Sequence, residues 1–307
     1  MILICDLGLS VYRQYTLGEK LSDKDDFSAY NTRISPFGEG YNLSRLLAAF
    51  GQGHSLLGFS DGPVEENLRK DLNLDLVDLN LISIKDKSSE FLYLNFPDKK
   101  IKILDKETKI SRDEIVEFYS TYKEGLNLNE LICLVGDKPT NLPGDLTFNI
   151  GDLSHKWGRK IFLAVNDKTY FDILETRPFA IILNKRILED LTNLSLDFEN
   201  EIIKACNYLL DKGIAHIIID NNENGLIILN KDHVHKLSLK DKKKQVNISH
   251  GGVLGGFILS LVRDYDIKTL CKLTYACGLV DYFEDEIETS HIKSLMKDID
   301  LFSFNNI

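Results

Sequence analysis

The sequence has few cysteines and no paired cysteine motif, which argues against proteins built on disulfides or cysteine-ligated metals. The five cysteines stand singly, and most lie in apolar runs: Cys5, Cys133, Cys206, Cys271 and Cys277. Because the count is odd and no Cys-x-x-Cys pair occurs, we expect buried free thiols. Such thiols are typical of a reducing compartment, so a cytoplasmic protein is expected.

Long apolar runs are also missing. No stretch reaches the roughly 18 apolar residues of a membrane-spanning helix, so no membrane partner is expected. The N-terminal segment MILICDLGLSVYRQY lacks a basic start and a cleavage site, so it does not resemble a signal peptide. With only 6 prolines and 20 glycines, the chain is neither collagen-like nor of low complexity.

Basic residues are outnumbered by acidic ones. There are 37 Lys and Arg against 47 Asp and Glu, a net charge of -10, which repels phosphate backbones and makes nucleic acid an unexpected partner. The basic run from Lys240 to Lys244 is interpreted as a solvated loop. A hydrophobic content of 43% over 307 residues is enough for a full core. The length suits one large α/β domain or two modest ones.

Short buried strands alternate with helices along most of the chain. Predicted strands include Leu131 to Val135, Lys160 to Val165 and His216 to Ile219, and a long helix is predicted after Gly252. Buried strands separated by helices indicate a mainly parallel sheet covered on both faces. The expected class is α/β, a three-layer α/β/α sandwich.

Two amphipathic segments interrupt this alternation, at about residues 11–35 and 88–106. The second contains a predicted hairpin around Pro97-Asp98. We expect the two segments to pair as a small β-sheet lid on the α/β core. His233 and His235 are two residues apart on a predicted strand and are interpreted as an exposed pair, because no further metal ligand lies at the right spacing.

Two glycine clusters precede predicted helices. In PFGEGYNLSRLL, Gly38 and Gly40 would let a ligand approach, but the Glu39 carboxylate would repel an anion. In VNISHGGVLGGFILSLV, the N–H groups of Gly251 and Gly252 form a candidate anion hole. A plain turn explains the first cluster better than a site does, and a packed glycine turn explains the second as well as an occupied site does.

A third motif, Gly58 to Gly62, matches the G-x-S-x-G pattern of a nucleophile elbow with Ser60 as the nucleophile. The glycine loop at His250 that could serve as its oxyanion loop follows the serine, whereas in esterases it precedes the nucleophile. Pro63 also stands where a donor N–H is needed. A serine hydrolase is therefore a remote alternative.

Several motifs, taken in their order along the chain, resemble those of the ribokinase superfamily and its phosphofructokinase-B (PfkB) branch, which includes 1-phosphofructokinase and tagatose-6-phosphate kinase. PFGEGYNLSRLLAAFG is similar to the GGKGINVARxLxxLG helix, LLGFSDG to LGFLGG, and LVGDKP to the SGSLP loop. RPFAIILNKRILEDL, NENGLIIL and ISHGGVLGGFI resemble the KPFLIKPNxxEL, GxxGAxxx and GAGDSFVAGF motifs. The resemblance covers essentially the whole chain and so implies a single domain over residues 1–307.

The resemblance implies a ribokinase-like fold and phosphoryl transfer from ATP with Mg²⁺ to a sugar or sugar phosphate. By the same resemblance, the catalytic Asp corresponds to Gly251 or, with a shift of one residue, to Gly252. The positions that would line the substrate pocket are Tyr12, Gly38, Glu39, Gly40, Asn42, Glu90 and Asp137. Those on the nucleotide side are Asn184, Ile187, Asn222, Gly225 and Gly278.

The residues that shape the backbone are retained, whereas those that carry charge to substrate, metal or proton are replaced. Glu39 stands for the Lys of GGKG, Glu90 for the Arg of TRxN, and Ile187 for the Glu of NxxE. No metal ligand set remains, and nucleotide binding is left open. The leading hypothesis is a catalytically silent or impaired kinase homologue that binds a small ligand or a protein partner and acts as a regulator.

The runner-up is an active carbohydrate kinase that uses His250 as an unconventional base, since a neutral imidazole can accept a proton near pH 7. Its acceptor would not be an anionic sugar phosphate, because Tyr12 and Glu39 suit a neutral or cationic ligand better. We also expect a homodimer through the lid, whose Phe91, Tyr93, Ile101 and Ile103 would offer a face to bury. The alternative is a lid folded onto its own core.

Overall fold

Fourteen strands form two sheets in the computed structural model, which describes residues 1–22, 26–105, 107–241, 248–280, 282–283 and 286–306. In chain order the strands are β1 (Ile2–Asp6), β2 (Ser10–Leu17), β3 (Ala29–Phe37), β4 (His54–Ser60), β5 (Val77–Ser83), β6 (Glu90–Asn95), β7 (Lys100–Leu104), β8 (Leu131–Val135), β9 (Lys160–Val165), β10 (Ala180–Asn184), β11 (His216–Asp220), β12 (Leu226–Leu229), β13 (His233–Leu239) and β14 (Ile299–Asn305).

The helices flank the larger sheet. They are α1 (Glu39–Ala49), α2 (Gly62–Asp71), α3 (Arg112–Leu128), α4 (Leu146–Lys156), α5 (Lys185–Thr192), α6 (Glu199–Asp211), α7 (His250–Val262), α8 (Ile267–Gly278) and α9 (Thr289–Lys297). Short 3₁₀ segments lie at Lys168–Tyr170, Asp172–Thr176 and Asn222–Asn224.

The larger sheet has ten strands in the order β14-β13-β12-β11-β10-β9-β8-β1-β4-β5. The seven strands from β11 to β5 are parallel, and the three at the other edge are antiparallel. Strands such as β8 and β10 consist almost entirely of buried Leu, Ile, Val and Ala, as expected when helices cover both faces. The predicted mainly parallel three-layer sandwich is confirmed.

One apolar cluster lies on each face of this sheet. The first includes side chains of α1, α2, α7, α8 and α9, and the second includes those of α3, α4, α5 and α6. On α3, Phe118, Tyr122 and Leu126 recur every four residues and form one fully buried stripe. A capping box of Ser111 and Glu114 starts that helix.

The smaller sheet has the order β3-β2-β6-β7 and forms the predicted lid. The hairpin around Pro97-Asp98 is present, with the Phe96 N–H donating to the Lys99 carbonyl at 2.8 Å. The expectation that Phe91, Tyr93, Ile101 and Ile103 share one face of the lid was wrong. Phe91 pairs with Leu104 and Leu92 pairs with Ile103, and successive residues of a strand alternate between the two faces. Phe91 and Tyr93 therefore lie on the opposite face from Ile101 and Ile103.

The C-terminal edge strand β14 was not predicted, and it changes the surroundings of the two histidines on β13. His233 is exposed, but His235 is buried beside β14, where its Nδ1 lies 2.8 Å from the Ser303 hydroxyl. The expected exposed pair is thus half wrong. Residues 242–247, which include most of the basic run at 240–244, lie outside the described residues. In the part of the chain that is described, no helix is long and apolar enough to cross a membrane.

Candidate functional site

Polar side chains collect at the carboxyl ends of the parallel strands. Asp6 ends β1, Asn184 ends β10 and Asp220 ends β11, while Asp137 and Asn166 follow β8 and β9 within two residues. Because the carboxyl ends of parallel strands meet at one edge of the sheet, these residues become neighbours. Ligands bind at this edge in open α/β sheets, so it is the candidate site.

A cleft of about 530 Å³ opens between this edge and the lid. We call it the lid cleft. It is lined by Gly8, Ser10, Phe37, Gly38, Glu39, Asn42, Phe91, Lys102, Leu104, Gly136, Asp137, Asn166, Asn184, Ile248 and His250. The set combines amides, a hydroxyl and aromatic faces with charged groups of both signs.

Helix α7 presents its N terminus to the cleft, and the Glu39 carboxylate occupies it. Glu39 Oε2 accepts hydrogen bonds from the Gly251 N–H at 2.6 Å and from the Ser249 hydroxyl at 2.7 Å. Ser249 in turn accepts from the Gly252 N–H at 3.1 Å and from the Asn42 amide at 3.3 Å. The predicted anion hole is thus filled by an anion of the chain itself, in the arrangement favoured by the helix dipole.

Both candidate positions for the catalytic Asp are closed to side chains. A Cβ atom at Gly251 would lie 2.1 Å from the Glu39 carbonyl oxygen, and one at Gly252 would lie 2.4 Å from the Tyr282 hydroxyl and 2.5 Å from the Cys277 carbonyl oxygen. Contacts this short cannot be made by a real side chain. The glycines therefore permit close packing of α7 against its neighbours.

His250 lies at the start of α7 and lines the cleft. Its Nε2 is 3.4 Å from the Asp220 carboxylate, and both side chains are nearly buried. This distance is at the long end of the hydrogen-bond range. The structure therefore places a His–Asp pair next to the helix terminus, where the sequence suggested only a lone histidine.

Asp6 is the site residue that the sequence did not single out. It is fully buried and accepts hydrogen bonds from the Gly8 and Gly40 N–H groups, both at 2.9 Å. Burial raises the pKa of its carboxyl to about 7, although these two hydrogen bonds oppose the shift and Asp137 and Glu39 add to it. The available signal was an acidic residue at the end of the buried run ILIC.

The retained glycines pack around Asp6. A Cβ at Gly136, whose φ is +85°, would lie 2.1 Å from Asp6 Oδ1, and one at Gly40 would lie 2.4 Å from Oδ2. A Cβ at Gly38 would lie 3.1 Å from the same oxygen. The backbone-shaping glycines of the sequence thus make room for one buried carboxylate.

Asp137 lines the cleft, as its predicted role requires. Burial raises the pKa of its carboxyl; a 3.4 Å hydrogen bond from the Asn166 amide and the nearby Lys102 work against this shift, while Asp167 adds to it. The Lys102 ammonium lies 4.4 Å from the centre of the Phe91 ring, a cation–π distance.

Three predicted pocket residues do not line the cleft: Gly40, which packs against Asp6, and two residues of the lid. Tyr12 is buried among rings of the lid and of Phe283 rather than lining the cleft, which Ser10 lines instead. Glu90 pairs with Arg13, with Nε and Oε1 2.5 Å apart, on the lid face opposite Phe91. Strand alternation explains the error at Glu90, which is next to Phe91 and so points to the opposite face. Tyr12 pairs with Phe91 and shares its face, but it lies further along the strand, under the other rings.

The predicted nucleotide side contains a second, larger concavity of about 1000 Å³, which we call the sheet-edge groove. It runs past the turn Asn221–Asn224, which includes the predicted Asn222, and along β13 and β14. Its charged lining residues are Asp197, Glu199, Glu223, Asp241 and Asp300, against Lys185 and Lys236. Lys236 is already paired with Glu199 at 2.6 Å, so the part of the groove lining that the structure describes is acidic.

The other nucleotide-side positions have structural roles. The Asn184 side chain accepts from the Ile187 N–H at 2.9 Å and caps α5, and Ile187 lies in the core. A Cβ at Gly225 would lie 2.0 Å from the Leu237 carbonyl oxygen, and one at Gly278 would lie 2.4 Å from the Val253 side chain. Tight packing explains why both remain glycine.

The resemblance implies Mg²⁺ and ATP, but Ile187, which stands for the Glu of the NxxE motif, is buried and offers no metal ligand. Among the described residues, no group of three or more His, Cys, Asp or Glu is arranged to hold a metal ion. The charged residues that the structure describes along the sheet-edge groove are mainly acidic.

The hydrolase alternative finds no support in the geometry. Ser60 is 1% exposed at the end of β4, and its hydroxyl has no hydrogen-bond partner among the described residues. Asp61, the next residue, caps α2 by accepting from the Val64 N–H at 3.1 Å. The G-x-S-x-G match therefore reflects a strand-to-helix turn, and a buried serine without a base is not a nucleophile.

Comparison with known proteins agrees with the geometry of the edge. Residues 1–280 match the model of the family described as pfkB family carbohydrate kinase. The 1-phosphofructokinase of Bacillus subtilis is 22% identical over 275 residues, which is 89% of each chain. The D-tagatose-1-phosphate kinase of Bacillus licheniformis is 22% identical over 218 residues, or 71% of each chain.

Solved structures share the fold over nearly the whole length. Phosphofructokinase-2 from Escherichia coli in complex with fructose-6-phosphate superposes with a TM-score of 0.83 at 14% identity, covering 96% of this chain and 98% of that one. Its tetrameric inhibited form gives a TM-score of 0.85 at the same identity and coverage. At such low identity these matches establish the architecture alone.

Proposed function

Because the chain belongs to the pfkB family of carbohydrate kinases, we propose that it binds a neutral, polyhydroxylated ligand in the lid cleft and is silent or severely impaired as a kinase. The observation that carries the proposal is the packing at Gly251, where a Cβ would lie 2.1 Å from the Glu39 carbonyl oxygen. No carboxylate can stand at the position of the family's general base.

The loss of that base has a large expected effect on rate. A positioned general base typically contributes about 10²–10⁴-fold. The missing metal-facing carboxylate at Ile187 and the acidic sheet-edge groove weaken binding of the phosphoryl donor as well. Since these losses affect different steps, they multiply, and phosphoryl transfer falls far below ordinary kinase rates of about 1–100 s⁻¹.

The lining of the lid cleft indicates the class of ligand. Ser10, Asn42, Asn166 and Asn184 contribute hydroxyl and amide groups, and Asp137 adds a carboxylate. These groups can exchange hydrogen bonds with several hydroxyls at once. The ring faces of Phe37 and Phe91, also in the lining, suit the apolar side of a sugar ring or a nucleoside base.

The first test is ADP release from ATP and Mg²⁺ over a panel of sugars, sugar phosphates and nucleosides, with calorimetric binding of the same compounds. We expect no ADP release above background, and we expect binding of at least one uncharged compound. Turnover at ordinary kinase rates contradicts the proposal that the protein is silent as a kinase. If the folded protein binds none of these compounds, the proposal that it binds a neutral ligand is wrong.

A working kinase that uses His250 is the second candidate. The observation in its favour is the 3.4 Å pair of His250 and Asp220 beside the cleft, because a carboxylate partner orients an imidazole that accepts a proton. If wild type shows turnover, His250→Ala must abolish it and Asp220→Asn must change its pH profile. Turnover that survives His250→Ala removes this candidate.

We propose further that the lid forms a homodimer and that the protein is cytoplasmic. The outer lid face carries the apolar side chains of Leu92, Leu94, Ile101 and Ile103, and Ile103 is exposed. The five cysteines are all free and buried, which suits a reducing compartment. Light scattering that shows a monomer at every concentration contradicts the dimer, and Ile103→Glu, which places a charge on that face, is expected to disrupt it.

A further inference from the structure

We infer that Glu39 acts as a built-in anion that fills the anion hole at the N terminus of α7, and that it thereby restricts the lid cleft to ligands without phosphate. The inference rests on the proposed function, because it concerns the same cleft, but it assigns the selectivity to one side chain. A lysine in the family motif becomes a glutamate here, and the structure shows where its carboxylate goes.

The carboxylate is anchored on two elements at once. Glu39 belongs to the first turn of α1, yet its Oε2 accepts from the Gly251 N–H and the Ser249 hydroxyl of the α7 terminus, at 2.6 and 2.7 Å. Asn42, one turn further along α1, reaches the same hydroxyl at 3.3 Å. The donors that would hold a phosphate oxygen are therefore already satisfied.

A phosphate entering this position meets both steric and electrostatic opposition. Like charges brought into close contact beside a protein surface repel each other strongly, and a phosphate monoester carries nearly two charges. Glu39 is only partly buried, so its carboxylate meets the ligand directly. An uncharged hydroxyl, in contrast, can donate to the carboxylate.

The cation that lines the cleft does not offset this repulsion. Lys102 lies on the lid, 4.4 Å from the centre of the Phe91 ring, and its charge partly opposes the burial that raises the pKa of the Asp137 carboxyl. Its charge is thus shared with a carboxylate of the cleft itself. The described lining contains two carboxylates, those of Glu39 and Asp137, against the one ammonium group of Lys102. It therefore has no excess of positive charge.

The test compares binding of inorganic phosphate to wild type, Glu39→Ala and Glu39→Gln by calorimetry at pH 7.5 and constant ionic strength. Glu117→Ala is the matched control, because Glu117 is exposed on α3 and its loss changes net charge equally. We expect at least a tenfold gain in phosphate affinity for Glu39→Ala, a smaller gain for Glu39→Gln, and none for Glu117→Ala.

Adding Ser249→Ala to Glu39→Ala should reverse part of the gain, since it removes a donor from the vacated position. The inference is overturned if wild type binds phosphate as tightly as the variants, or if folded Glu39→Gln and Glu39→Ala gain nothing. The inference is also overturned if Glu39→Ala and Glu117→Ala gain equally in phosphate affinity, because the change in net charge would then explain the gain. None of these outcomes depends on finding the neutral ligand, so failure of the proposed function is detected separately.

Discussion

The N termini of α1 and α7 each hold a carboxylate from another part of the chain, but the two carboxylates differ in burial. Asp6 from β1 accepts the Gly40 N–H in the first turn of α1 and is fully buried. Glu39 from α1 accepts the Gly251 N–H of α7 and borders the lid cleft. The electrostatic interaction with the helix terminus is the same in both places.

Burial decides what each interaction does. Around Asp6 the backbone closes so tightly that a Cβ at Gly136 would lie 2.1 Å from its carboxylate, so its hydrogen bonds belong to the fold. Glu39 can be reached from the cleft, so its hydrogen bonds compete with those of a ligand. A carboxylate at a helix terminus therefore belongs to the fold where it is buried, and we propose that it selects ligands where it borders the cleft.

The largest effect is expected for Asp6→Ala, with a loss of about 4 kcal/mol in the free energy of unfolding. The substitution leaves the buried Gly8 and Gly40 N–H groups without an acceptor, at about 1–3 kcal/mol each, and creates a small cavity. Urea denaturation followed by circular dichroism measures it. Asp78→Ala, at an exposed strand position, should cost much less. Equal losses of stability in the two variants would show that the hydrogen bonds of the buried Asp6 do not stabilise the fold.

Gly251→Ala is expected to cost about 3 kcal/mol, because its methyl group would meet the Glu39 carbonyl oxygen in a well-packed contact. Gly62→Ala is the control, since nothing lies within 4 Å of a Cβ there. Thermal unfolding of both variants checks the difference. If Gly251→Ala unfolds like Gly62→Ala, the base position has room for a side chain and the argument for a silent site fails.

The buried carboxylate also makes stability depend on pH. The pKa of Asp6 is about 7 when folded, against about 3.9 unfolded, so the folded state holds the proton more tightly and stability falls as pH rises between these values. From pH 5 to pH 7 the loss is about 2 kcal/mol. Asp6→Asn should lack this component in matched denaturation series, and equal pH slopes for both proteins would show that Asp6 does not titrate there.

The smallest effect is expected at the N terminus of α7, where Glu39 borders the lid cleft. Ser249→Ala removes the N-cap of α7 and one donor to Glu39, with an expected cost of about 1 kcal/mol. Ser111→Ala, which removes the cap of α3, serves for calibration. A Ser249→Ala loss as large as that of Asp6→Ala would mean that the α7 terminus is structural rather than open to exchange.

Part of the site could be predicted from the sequence. Glu39, Asn42, Asp137 and His250 all line the lid cleft, and each lies within two residues of a glycine in the sequence. Tyr12 and Glu90 were misplaced, because a shift of one or two residues along a strand changes the face or the depth of a side chain. Asp6 was missed, because an acidic residue ending an apolar run carries no sign of the two N–H groups that it meets.

The sequence by itself determined the alternation of buried strands and helices, the lid and the family, because these depend on local periodicity and motif order. Only the tertiary structure decided that Glu39 lies on Gly251, that Asp6 lies beneath Gly40, and that His250 faces Asp220. Glu39 and Gly251 are separated by 212 positions. Contacts at such separation arise from the packing of whole layers, and charge at a helix terminus can be evaluated only when the partner's position and its access to water are known.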